Sequence, residues 1–140
     1  MTNPNVAACG QAALVKRLAA FSAEKLDLSD TEKVLENEMG KLSLIVEFEI
    51  AQGMQAEFET AILVHAKSCL AEEPGCLRFE LNYPLDENGN RIPNRMIANE
   101  LFADQEALIA HRATMRWTHL SERFKTLLSN RRPILSEVEE

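Results

Sequence analysis

The chain changes its hydrophobic period at one place. Up to Glu73 the apolar residues recur at helical spacing, and Pro74-Gly75 stops the helix. From Cys76 they alternate, with Leu77, Phe79, Leu81 and Tyr83 on one side and Cys76, Arg78, Glu80 and Asn82 on the other. A period of about 3.6 that gives way to 2 across a Pro-Gly pair marks a helix handing over to a strand. A chain with that hand-over at its centre packs helix against sheet rather than building either layer alone.

Other segments fall into place around this hinge. Leu42, Leu44, Val46, Phe48 and Ile50 alternate with Ser43, Ile45, Glu47 and Glu49, which predicts a first strand over 42–50. Gln52-Gly53 breaks it. A helix follows over 54–73, with Phe58, Ala61, Ile62, His65 and Cys69 in one stripe that Leu63, Ala66 and Leu70 widen. The second strand covers 76–83, and Asn88-Gly89 suggests a hairpin turn. The third strand, about 94–102, is apolar on both faces and so belongs centrally. Asp104 caps the next helix, with Glu106 in its first turn and Ala107, Leu108, His111 and Met115 on one face. A further helical piece carries Trp117, Leu120, Phe124 and Leu127. Asn130-Arg131-Arg132-Pro133 ends it, and a short last strand spans 134–138.

Residues 1–40 read separately. Leu14, Leu18 and Phe21 have helical spacing, and Ser29-Asp30-Thr31-Glu32 has the form of a capping box before Val34, Leu35 and Met39. We expect a helical N-terminal arm over 1–40 and a single domain over 41–140. The domain's order is βαβ–βααβ, which gives the class α+β, a ferredoxin-like split βαβ sandwich with an N-terminal helical extension. Its helices cover one face of the sheet. The other face keeps Ile45 and Ile97 or Met96 to hide, and two such sheets meeting face to face would form a two-fold homodimer.

Composition narrows the function. A net charge of −7 argues against nucleic acid and anionic membrane surfaces, which want a basic patch. No apolar run approaches a membrane span, and the N-terminus does not read as a signal peptide, so the cytoplasm is the expected location. Three cysteines, Cys9, Cys69 and Cys76, with no C-x-x-C pair fit free thiols better than a disulfide framework. The histidines at 65, 111 and 119 show no metal-ligand spacing, and no glycine-rich phosphate loop occurs. No metal, flavin or nicotinamide is expected.

Glu72-Glu73-Pro74-Gly75-Cys76-Leu77-Arg78-Phe79, followed about twenty residues later by Asn99-Glu100-Leu101-Phe102-Ala103-Asp104 and then Ala110-His111, resembles the antibiotic biosynthesis monooxygenase domain family. The resemblance covers roughly 41–137. It implies a dimeric α/β barrel and, among the family's activities, cofactor-free oxidation of quinols or aromatic polyketides by dioxygen. His111 stands at the family's Ala-His motif, beside the pocket between helices and sheet. It would be the general base for a quinol or enol, or else a core histidine held by a strand-three carboxylate. Glu100 matches the family's acidic residue on that strand and is expected to pair with His111, as orienter or as structural clasp. Trp117 stands where the family usually has Phe, and Arg116 where it often has His. Trp117, with Phe48 and Phe79, would wall in a planar substrate or simply pack the core. His65 lies on an apolar stripe, and Asn99 could hold a substrate oxygen or end a hydrogen-bond ladder.

Two classes of function follow. One is a cofactor-free monooxygenase on a small quinol-like or aromatic polyketide-like molecule. The other is a non-catalytic dimeric barrel that binds a small ligand or a partner, and an isomerase of the same fold also fits. Haem-degrading relatives use an Asn on the first strand and a Trp near the end of the third, and this chain has neither.

Overall fold

A computed structural model describes residues 40–140, and the arm expected over 1–40, with Cys9, lies outside the described residues. Seven elements follow in order: β1 (Leu42–Ile50), α1 (Gln55–Glu72), β2 (Cys76–Asn82), β3 (Arg95–Phe102), α2 (Gln105–Arg112), α3 (Met115–Leu127) and β4 (Leu128–Glu137). The strands form one antiparallel sheet in the order β2-β3-β1-β4. This is the split βαβ arrangement, with α1 connecting β1 to β2, and α2 and α3 connecting β3 to β4.

The alternation in β1 is realised as expected, with Leu42, Leu44, Val46, Phe48 and Ile50 all buried. Met96, Ala98, Glu100 and Phe102 of β3 are buried on the same side. Phe58, Ile62, His65, Ala66 and Cys69 of α1 and Leu120, Phe124 and Leu127 of α3 pack over them. Phe48, Phe58 and Phe124 form an aromatic knot, with ring centroids 4.9–6.2 Å apart.

Four local expectations change. Strand β2 does not alternate cleanly, because a β-bulge lies between Cys76 and Arg78. The extra residue, Leu77, is pushed out to solvent, and Cys76 and Phe79 come to share the inner face. In α1 the buried stripe is narrower than expected, and Leu63 and Leu70 are both exposed. Helix α2 stops at Arg112. Thr114 then caps α3 by accepting from the Trp117 N–H at 3.1 Å, so Met115 opens a new helix and is exposed. Strand β4 begins directly after α3, so Asn130-Arg131-Arg132-Pro133 lies inside a ten-residue strand rather than ending the helix. Pro133 is tolerated because β4 is an edge strand.

The loop between β2 and β3 is longer than a two-residue hairpin. Asp86 Oδ1 accepts from the N–H groups of Asn88 and Asn90 at 2.9 and 3.0 Å, with Gly89 at a φ of 85°. Among the described residues, no helix is long and apolar enough to cross a membrane.

Candidate active site

Helix α2 is oriented by its cap. The Asp104 carboxylate accepts from the Ala107 N–H at 2.8 Å, and the helix turns Leu108 and His111 inward. His111 is 3% exposed. Its Nδ1 lies 2.9 Å from Glu73 Oε1, at the point where α1 ends. Arg116 Nη2 donates to Glu73 Oε2, and Nη1 donates to Glu72 Oε1 at 2.9 Å. Burial works against the Glu73 charge, but hydrogen bonds from His111 and Arg116 outweigh it and hold the carboxyl below its usual range. An ionised carboxylate only accepts, so His111 Nδ1 carries a proton, and in the neutral ring the lone pair is on Nε2. Nε2 has no hydrogen-bond partner among the described residues, and the ring lines a cavity.

That cavity, about 190 Å³, lies between the sheet and helices α1–α3. His65, Phe79, Glu100, His111 and Trp117 line it together with Phe48 and Ile62. The rings are mutually close: Phe102 and Trp117 lie 5.1 and 5.9 Å from His111, and Phe79 lies 5.6 Å from His65. Two cations, Arg112 and Arg131, also reach the lining. The Arg131 guanidinium sits 5.8 Å above the Trp117 ring and 5.4 Å from that of Phe124.

Glu100 is 5% exposed, and its Oε1 has no partner among the described residues. Burial pushes its carboxyl up to about 8, with Arg112 pulling the other way and Glu73 adding to the rise. At neutral pH it is a neutral acid and can donate a hydrogen bond into the cavity. His65 is pushed down to about 4 by burial, with His111 and Arg116 adding to the effect, so it is a neutral imidazole. Between the two histidines lies Cys69, its Sγ 3.5 Å from His65 Nε2 and 3.7 Å from His111 Nδ1. Burial and the Glu73 charge push this thiol up to about 12. Cys69 and Cys76 are both free thiols.

The family profile of antibiotic biosynthesis monooxygenases matches residues 42–123, more than half of the chain. The chain belongs to that family. Its fold is shared by a Pseudomonas aeruginosa protein (22% identity, TM-score 0.62, covering 72% of this chain and 96% of that one). It is also shared by a Caulobacter crescentus protein assigned to antibiotic biosynthesis monooxygenases (24%, TM-score 0.64, 72% and 92%). A mutant of SnoaB from Streptomyces nogalater, a cofactor-independent oxygenase, matches at 20% identity and a TM-score of 0.60, covering 72% of this chain and 95% of SnoaB. No curated protein sequence matches the chain.

Within this family frame, the structure brings His111, Glu100, Trp117, His65, Phe48 and Phe79 to one cavity. It leaves Asn99 out. Asn99 pairs with Ile45 and Glu80 on the face of the sheet away from the helices, opposite the side that carries Glu100. The expected Glu100–His111 pair is also replaced, since the imidazole bonds to Glu73. Helix α1 delivers Glu73 to the ring at its C-terminus. Four residues of the site were not singled out from sequence: Glu73, Cys69, Arg112 and Arg131. Glu73 and Cys69 lie four residues apart on the helix that carries His65, a spacing that would have grouped them. Nothing local to Arg131 places it over Trp117.

Proposed function

We propose that this chain is a monooxygenase that oxidises a small quinol-like aromatic with dioxygen and needs no organic cofactor. The observation that supports it is the Glu73–His111 pair, which engages Nδ1 and leaves Nε2 without a protein partner on a ring that lines an aromatic cavity. His111 Nε2 takes the proton of a phenolic hydroxyl. The electron-rich phenolate passes an electron to dioxygen, and the two radicals join as a C–O bond. The imidazolium returns its proton to the peroxide, and the O–O bond breaks as the ring C–H bond at the oxygenated carbon gives up its proton to the departing hydroxide. One oxygen atom remains as a quinone carbonyl and the other leaves as water, so the substrate supplies all four electrons and no external reductant is used.

The other side chains fit this role. Neutral Glu100 donates to a substrate oxygen, and Arg112 and Arg131 offset the phenolate charge. An apolar cavity of about 150 Å³ takes up benzene, so about 190 Å³ favours a one- or two-ring quinol or naphthol over a tetracyclic polyketide. The same reading includes a homodimer built through the helix-free face of the sheet, where Ile45 pairs with Ile134.

Oxygen uptake by metal-free protein over a panel of quinols and naphthols tests the proposal. His111→Ala should abolish uptake. Glu73→Gln should lower kcat about 10- to 100-fold with KM little changed, because it disturbs the tautomer and not the binding walls. Unchanged turnover in His111→Ala would overturn the reading.

A further inference from the structure

His65, Cys69 and His111 converge from two helices on one buried point. Each is buried, and their donor atoms all lie within 4.8 Å of one another. Hydrogen bonding holds this geometry only weakly, since a thiol is a poor donor to His65 Nε2 and a poor acceptor from His111 Nδ1, which already donates to Glu73. A tetrahedral metal gives it a direct one. With Zn–S bonds of about 2.3 Å and Zn–N bonds of about 2.0 Å, adjacent sulfur and nitrogen ligands stand ~3.5 Å apart. The observed separations from Cys69 Sγ are 3.5 Å to His65 Nε2 and 3.7 Å to His111 Nδ1. The third edge, between the two imidazoles, is at most 4.8 Å.

A fourth donor stands just outside these three. Glu73 Oε1 is 2.9 Å from the same nitrogen of His111. His65, Cys69 and Glu73 follow one another at four-residue spacing, so one face of α1 and its terminus carries three ligands. Phe79, Phe102 and Trp117 surround the imidazoles and keep the centre apolar. We infer that His65, Cys69, Glu73 and His111 form a binding site for one zinc-like transition ion, a centre separate from the organic-substrate cavity that shares its wall. Two imidazoles with a thiolate suit zinc, cobalt or copper and not magnesium or calcium. The thiol gives up its proton as the metal–sulfur bond forms. The thiolate and the Glu73 carboxylate then offset the two charges of the ion, with the Arg116 guanidinium still paired to Glu73 Oε2.

The site has a consequence for the imidazole it shares. A metal on Nδ1 leaves the ring proton on Nε2, and His111 can then take no proton from a substrate. The metal-bound state is therefore an off state of the proposed oxygenase. The inference itself does not rest on that activity, because uptake is read without any substrate.

The test uses the full chain, stripped with chelator and titrated with cobalt(II) and zinc(II) in separate experiments. One equivalent of cobalt should bind and give both the intense visible bands of a tetrahedral ion and a near-ultraviolet thiolate charge-transfer band. Zinc should displace it one for one. Cys69→Ser should abolish the charge-transfer band and weaken zinc binding about a hundredfold or more. His65→Gln should weaken binding similarly, while Cys9→Ser and Cys76→Ser should leave it unchanged. Circular dichroism confirms that each variant is folded, and His65→Gln stands in if Cys69→Ser is not. The inference is overturned if no zinc is taken up at micromolar concentration, if cobalt gives only the pale spectrum of octahedral oxygen ligation, or if removal of both Cys69 and His65 leaves uptake intact.

Discussion

Glu100 sits on β3 with its Oε1 unpartnered and burial pushing its carboxyl from 4.5 up to about 8. The consequence for stability has a definite sign. Below pH 4.5 the carboxyl is protonated in both the folded and the unfolded chain and adds no slope. Between about 4.5 and 8 the unfolded chain releases the proton while the folded chain holds it, so stability falls as pH rises. Above about 8 the folded chain ionises as well and the slope ends. Glu100→Gln keeps the shape without the titration. We expect it to raise Tm at pH 7 relative to the parent and to flatten the decline between pH 5 and pH 8, as read by thermal melts across that range. A parallel decline in the variant would show that another group is responsible. Glu100 was legible as a candidate in the sequence, but its want of a partner was not. The adjacency of β3 and α2 along the chain pointed to His111, and only the tertiary arrangement shows that α1 brings Glu73 to that ring first.

At the scale of elements, the hinge between α1 and β2 sets the position of α2. A Cβ built on Gly75 would lie 2.4 Å from the Ala107 Cβ, closer than side-chain carbons approach. The Ala103 N–H also donates to the Gly75 carbonyl at 2.8 Å, which locks the entry to α2 against the hinge. Gly75→Ala must therefore push α2 outward. The expected cost is about 1–3 kcal/mol in urea unfolding, the usual range for overpacking. Ala107→Gly removes the opposing methyl, so the double variant should recover most of that loss beyond the sum of the single changes. Additive losses would mean that the contact does not limit stability. The Pro-Gly pair showed in the sequence where the helix stops, but not why glycine is needed, because Ala107 is thirty-two residues away. The bulge at Leu77 was hidden for a similar reason. Alternation put Leu77 inside, whereas the pairing of Cys76 with Phe102 and of Arg78 with Leu101 leaves it no opposite residue.

At the scale of the whole molecule, the helix-free face of the sheet carries Ile45 paired with Ile134, with Ile97, Asn99 and Leu101 beside them. Ile134 is 39% exposed on an edge strand. If two sheets meet there, Ile134→Glu places two like charges across the two-fold axis, and the apparent mass in sedimentation velocity should fall by about half. A parent chain that sediments as a monomer at every concentration would remove the dimer from the proposal. The sequence by itself determined the order of the elements, the hydrophobic face of β1, the cap of α2, and the family, because each depends on neighbours within a turn or a pleat. The tertiary structure alone decided which carboxylate holds His111, that Cys69 lies between two imidazoles, that Asn99 faces away and that Arg131 covers Trp117. The contacts between elements join residues 14 to 42 positions apart, or depend on which face of a strand meets the helices, and no local periodicity encodes either.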